Sequence, residues 1–217
     1  MRKKFKTKWK TIEETIAMWV IFGLIFTIQV LASNEPVFNQ TINSAAFAVD
    51  IVDENGNSVE HPTVNFGAVT FSFSEQTSHG QLGTDSQRIR ANNPSDIETW
   101  TVNLSGSSNS ATWTSSENHY HFNDASGGGY ANGQMTVDPS TGAISGVAGC
   151  LTDHISKGNS ESFADGSVDS IDIMTASTGT ATSCQWDFIG AADNITQKIP
   201  AGQAVGSYSL DMTVSIQ

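Results

Sequence analysis

The chain has 217 residues, 38% of them hydrophobic, and a formal charge of −12 from 10 basic and 22 acidic residues. Six of the basic residues (Arg2, Lys3, Lys4, Lys6, Lys8 and Lys10) sit at the start, so residues 33–217 keep four basic residues against 20 acidic ones, a formal charge of −16. That sign excludes a nucleic-acid binder, which must neutralise phosphates, and disfavours attachment to an anionic lipid surface.

An apolar run from Ile16 to Leu31, broken only by Thr27 and Gln29, follows the basic cluster and ends in Val30-Leu31-Ala32-Ser33. Basic region, apolar region and small-residue cleavage site are the order of a secretory signal. The expected cut falls after Ala32. The alternative is an uncleaved membrane anchor through residues 16–32, although the run is shorter than the roughly 20 residues that span a bilayer. In both cases the rest of the chain is expected to be secreted or displayed at the cell surface, because the positive flank stays in the cytoplasm. The expected organisation is residues 1–32 as signal or anchor, 33–44 as a polar linker and 45–217 as one domain.

The domain opens with Phe47, Val49 and Ile51 alternating with small or polar residues, which predicts a strand closed by the turn Asp53-Glu54-Asn55-Gly56-Asn57. Val64-Asn65-Phe66 and Val69-Thr70-Phe71-Ser72-Phe73, with Gly67 between them, predict the next apolar stretch. Residues 86–92 read as a polar strand around Ile89, Asn93-Pro94-Ser95-Asp96 as a turn, and Thr99 to Leu104 as a strand with Trp100, Val102 and Leu104 on one face. Residues 105–194 are rich in Ser, Gly, Thr, Asn and Asp and read as a long central insertion or an elaborated loop and strand region. Strand-like pieces there are 111–114, 119–122, 133–137, 144–147, 168–173 and 185–189. After the turn Ile199-Pro200-Ala201-Gly202, residues Tyr208, Leu210, Met212, Val214 and Ile216 alternate strictly with polar ones, which requires one buried sheet face. No amphipathic helix is legible after residue 32. The expected fold is all-β, a β-sandwich or barrel-like single domain with a long central insertion, preceded by an N-terminal hydrophobic helix. Phe66, Phe71, Trp100, Tyr208, Met212, Val214 and Ile216 are its expected core contributors. Cys150 and Cys184, an even count in an exported chain, are expected to form a disulfide.

Pro62, Phe66 and Gly67 in Pro62-Thr63-Val64-Asn65-Phe66-Gly67, then Trp100 and Val102 in Glu98-Thr99-Trp100-Thr101-Val102, then Tyr208, Met212, Val214 and Ile216 in the last strand, form an ordered set. This set resembles the WxL domain of Gram-positive surface proteins. Val102 stands where that family has Leu, Val214 where it has its second Trp, and Ile216 where it has Leu. The resemblance covers roughly residues 45–104 and 195–217. It implies an exported domain that associates non-covalently with cell-wall polysaccharide or peptidoglycan.

His119-Tyr120-His121 places two imidazoles on one side of a strand, with Asp124 close by, which is the sharpest metal-ligand pattern in the chain. A polar strand surface is the competing reading. Acidic loops carrying Asn123, Asp124 and Asp138, or Asp165, Asp169 and Asp172, allow a structural Ca²⁺, and no other cofactor is implied. Neither a Gly-x-Ser-x-Gly nor a His-Glu-x-x-His pattern occurs, so no enzymatic activity is expected. Trp113, Trp186, Tyr120 and Tyr130 are the candidate binding aromatics. Trp113 and Trp186 are expected to be freer to face solvent than Trp100. The expected function is a non-enzymatic extracellular surface protein that binds cell-wall polymer or other surface proteins. A structural subunit of a surface filament or layer, assembled through edge-strand pairing, is the alternative.

Overall fold

A computed structural model describes residues 46–125 and 132–217. The expected signal or anchor, the linker and Tyr130 lie outside the described residues. In chain order the strands are β1 (Ala48–Val52), β2 (Gln76–Gly80), β3 (Arg88–Asn93), β4 (Trp100–Gly106), β5 (Thr112–Ser115), β6 (Asn118–His121) and β7 (Gln134–Val137). They continue with β8 (Ala143–Gly146), β9 (Ile155–Lys157), β10 (Glu161–Ser162), β11 (Ser170–Ala176), β12 (Cys184–Ile189), β13 (Ile195–Ile199) and β14 (Met212–Ile216). Two single-turn 3-10 segments, Pro139–Thr141 and Val147–Gly149, are the helical pieces among the described residues.

The fold is all-β. Its antiparallel sheets run in the orders β1-β3-β12-β8, β10-β7-β13-β2 and β14-β4-β11-β9, with β5-β6 as a separate hairpin. Among the described residues no sheet returns to its first strand, so no closed barrel forms; the sheets pack in sandwich-like fashion. Residues 105–194 supply strands to all of the sheets, including β11 and β12 in interior positions.

Alternation explains each face. In the first sheet Phe188 pairs with Ile89 and Trp186 with Ala91, while Ile51 and Val49 oppose the same two β3 residues from the other side. Directly opposed side chains share a face, so these residues form one apolar surface. The residues between them face the other way. There Asp187, 2% exposed, accepts hydrogen bonds from Arg90 Nε at 2.6 Å and Arg90 Nη2 at 2.9 Å. The Asp187 hydrogen bonds hold the Arg90 guanidinium above its ordinary pKa range. In the third sheet Trp100, Val102 and Leu104 oppose Ala176, Met174 and Ile171 on one side. On the other side Ile216 and Val214 oppose Val102 and Leu104. A bulge between Asp172 and Met174 lets both Ile173 and Met174 be buried.

Trp100 and Trp186 meet between these two sheets, ring centroids 5.4 Å apart. Trp186 is fully buried and its Nε1 donates to Leu151 O at 2.8 Å. The expectation that Trp186 faces solvent is therefore overturned. An indole fits the inner face of an interior strand once its N–H finds a carbonyl. The expected disulfide is present: Cys150 and Cys184 are bonded, with Cα atoms 5.8 Å apart. It ties the loop that supplies Leu151 to the first residue of β12.

Three other expectations change. The terminal strand begins at Met212 rather than Tyr208. The Val64–Phe73 stretch forms no strand; it enters only the isolated bridge Phe66↔Gly80. Phe71 is 47% exposed instead of buried, because no described strand covers it. Asn103 and Asn194, which occupy glycosylation sequons, are buried, and Asn194 is bonded through both amide atoms to the Leu82 backbone.

Replacing Trp186 by Ala is expected to cost about 3–5 kcal/mol, as for other buried Trp truncations. Reducing Cys150–Cys184 is expected to cost about 2–4 kcal/mol. Urea unfolding midpoints with and without reductant check both; an unchanged midpoint for W186A contradicts its central position.

Candidate functional site: a charge-free aromatic groove

Sheet β10-β7-β13-β2 and the β5-β6 hairpin meet at Gln197. In β13 this residue is 1% exposed, an unusual place for an amide, which must then be fully hydrogen-bonded. Its Oε1 accepts from Trp113 Nε1 at 2.9 Å and its Nε2 donates to Lys198 O at 2.7 Å. Nε2 also lies 3.4 Å from His121 O. One side chain thereby holds the hairpin onto the sheet. Gly133 keeps the approach close: a Cβ there would fall 2.7 Å from Lys198 O and 2.9 Å from Gln197 Nε2.

Trp113 and Tyr120 are cross-strand partners in the hairpin, and their rings stack at 6.1 Å with 13° between planes. Phe66 packs perpendicular to Trp113 at 5.3 Å, and Tyr208 packs edge-on to Tyr120 at 5.2 Å. Tyr208 is fixed in turn by donating its hydroxyl to Ala204 O at 2.8 Å and accepting from Gln203 Nε2 at 2.7 Å. This aromatic row, with Gln76, Ser78, Gln197 and Ile199, floors a groove of about 740 Å³. Residues 64–72 form one wall and 200–208 the other. None of the lining residues is charged, on a domain whose residues 45–217 carry a formal charge of −15.

The 64–72 wall is anchored at its ends and open between them. Phe66 bridges Gly80, Gly67 N donates to His79 O at 2.8 Å, and Ser78 Oγ donates to Gly67 O. Gly80 permits this closeness, since a Cβ would press on Asn65 O at 3.1 Å. At the far end Gly202 N donates to Ser72 O at 2.8 Å. Residues 67–72 contain no turn or bend. No backbone hydrogen bond joins Ala68, Val69, Thr70 or Phe71 to another described residue. Among the described residues, four of the six exposed large hydrophobics cluster here: Val69, Phe71, Phe73 at 86% and Val205 at 83%. Phe71 and Phe73 touch edge-on, centroids 5.0 Å apart.

Of the four aromatics proposed from sequence as binding residues, Trp113 and Tyr120 line the groove, Trp186 is in the core, and Tyr130 is outside the described residues. His119 and His121 flank buried Tyr120 on β6. Among the described residues, no three His, Cys, Asp or Glu side chains stand close enough to hold a metal ion. Asp124 follows β6, its backbone N donating to Gly133 O at 2.9 Å. Sequence reasoning missed Gln197, Gln203 and the exposed run; the only legible signal was the alternation Val69, Phe71, Phe73. No protein-family model, curated protein or solved structure matches this chain.

Burial, with Tyr208 nearby, pushes the Tyr120 phenol well above its ordinary value of 10.0. The folded state thus keeps a proton that the unfolded chain loses as pH passes 10.0. Stability is full below that pH and declines as pH rises above it. Thermal midpoints on either side of pH 10.0 check this, with a shallower decline expected for Tyr120→Phe. Equal slopes for the two proteins contradict it.

Proposed function

We propose that this chain is a non-enzymatic, extracytoplasmic surface module of WxL-like type, a single β-sandwich domain elaborated by residues 105–194, that holds another surface polypeptide along its 67–72 run. Export is supported by the basic and apolar order of residues 1–32 and by the disulfide, which persists in oxidising compartments. The observation that carries the binding reading is the extended run itself, with four residues whose backbone has no partner among the described residues, and with exposed Val69 and Phe71 beside a neutral groove and Phe73 next to them. Strand addition uses these two elements: free main-chain groups give affinity, and alternate apolar side chains give specificity. An exposed apolar cluster of this kind marks a contact surface.

A polypeptide fits better than wall polymer. Sugar stacking needs an open ring face, yet Trp113 and Tyr120 are stacked on each other and Tyr208 packs against Tyr120. The rings that remain exposed, Phe71 and Phe73, lie on the outer wall beside unpaired backbone.

The test is sedimentation of the exported form with purified cell walls, either bearing their proteins or stripped by protease. Retention on protein-bearing walls, lost in Phe71→Asp, is the expected result. Equal retention on stripped walls that ignores Phe71→Asp replaces this reading with polymer binding. Absence of retention on either preparation overturns it.

A further inference from the structure

We infer that the polypeptide held along residues 67–72 is the same run of a second copy of this chain, paired antiparallel about a two-fold axis near Thr70. The inference rests on the polypeptide-binding reading above and names its partner.

Charge narrows the choice first. Two domains of formal charge −15 repel wherever their acidic surfaces face each other, and the repulsion is weakest where the touching faces carry no charge. The groove and the run beside it are such a face; the nearest acidic residue in sequence, Glu75, lies past Phe73 and approaches Lys198 at 4.0 Å. A neutral, apolar face needs a neutral, apolar partner. Among the described residues this run carries the main cluster of exposed large hydrophobics, so the surface that best matches it is itself.

Geometry agrees. A two-fold contact brings the same patch together on both subunits. An extended run whose donors and acceptors have no partner among the described residues is complementary to its own antiparallel copy, because every second residue exchanges N–H and C=O with the residue equally far beyond the axis. With the axis at Thr70, Ala68 opposes Ser72 of the second copy. Val69 and Phe71 share one side of the run, since alternate residues of an extended chain point the same way, and Phe73 touches Phe71 edge-on. Pairing would bury the Phe71 and Phe73 rings of both copies together and, with Thr70 facing its own copy at a non-hydrogen-bonded pair, join the backbone of Val69 to that of Phe71 across the axis. The Phe66 bridge and the Gly202 to Ser72 hydrogen bond hold the two ends of the run, so little ordering is needed before contact.

Disulfide trapping in the full chain tests this, because the chain's two cysteines are bonded to each other and give no background. Thr70→Cys, Ala68→Cys and an exposed control outside the run, Ser86→Cys, are expressed in the oxidising compartment and run on a non-reducing gel. The expected result is a shift of T70C to the dimer position, reversed by reductant and abolished by adding Phe71→Asp. A68C, which faces Ser72 rather than itself, should dimerise less. Absence of a T70C dimer, or a dimer no stronger than that of S86C, overturns self-pairing. If T70C stays monomeric while Phe71→Asp still abolishes retention on protein-bearing walls, the polypeptide reading stands with a different partner. If Phe71→Asp changes neither readout, both fail.

Discussion

Strand β12 organises the molecule through one alternation. Cys184, Trp186 and Phe188 point to one face and Gln185 and Asp187 to the other, and β12 lies between β3 and β8. Slipping the strand by one residue would carry Asp187 into the apolar interior and expel Trp186. Burying an unpaired carboxylate costs several kcal/mol. In the native register Asp187 instead meets the Arg90 guanidinium in a two-bond pair, with Arg88 at 3.8 Å. The ion pair adds little net stability once desolvation is counted. Its value is to make the wrong register expensive. The disulfide at Cys184 and the Trp186 bond to Leu151 O add two further anchors to the same strand.

With that register set, the second sheet and the hairpin can be assembled with polar rather than apolar contacts. Inward positions of β2 and β13 include Ser78 and Gln197, neither of which drives burial by itself. Each is buried because it has a specific partner: Ser78 Oγ donates to Gly67 O, and Gln197 joins Trp113, Lys198 and the hairpin backbone. The groove floor is therefore rigid, made of stacked rings and satisfied amides. Its 64–72 wall keeps backbone groups with no described partner. Rigid floor and unsatisfied wall are separate sets of residues, so changing Phe71 or Phe73 removes contact surface without opening the core.

Alternation made much of this fold readable. Phe47 to Ile51, Trp100 to Leu104 and Met212 to Ile216 all announce an apolar face, and the structure buries those faces wholly or in part. The turn chemistry of residues 53–57 was equally plain, and Asp53 accepts from Asn55 N and Asn57 N there. Strands β2 (Gln-Thr-Ser-His-Gly) and β13 (Ile-Thr-Gln-Lys-Ile) were not legible, because their inward positions hold polar residues. A hydrogen bond to a distant residue leaves no periodic trace. Trp186 was misjudged for a related reason: its neighbours Gln185 and Asp187 are polar, and burial of Asp187 depends on Arg90, 97 residues away.

The 64–73 run was misread in the opposite sense, and that failure is informative. Period-two alternation reports that a segment has an apolar side and an extended backbone. It does not report whether this chain supplies the strand that covers it. Val69, Phe71 and Phe73 carry the same pattern as Val102 and Leu104, and the difference lies only in what packs against them. This segment has the pattern of a core strand but the exposure of a surface loop, with no covering strand among the described residues. Unpaired strands of this kind invite pairing with another polypeptide, and here the neutral groove beside it leaves the surrounding negative charge nothing to oppose at the point of contact.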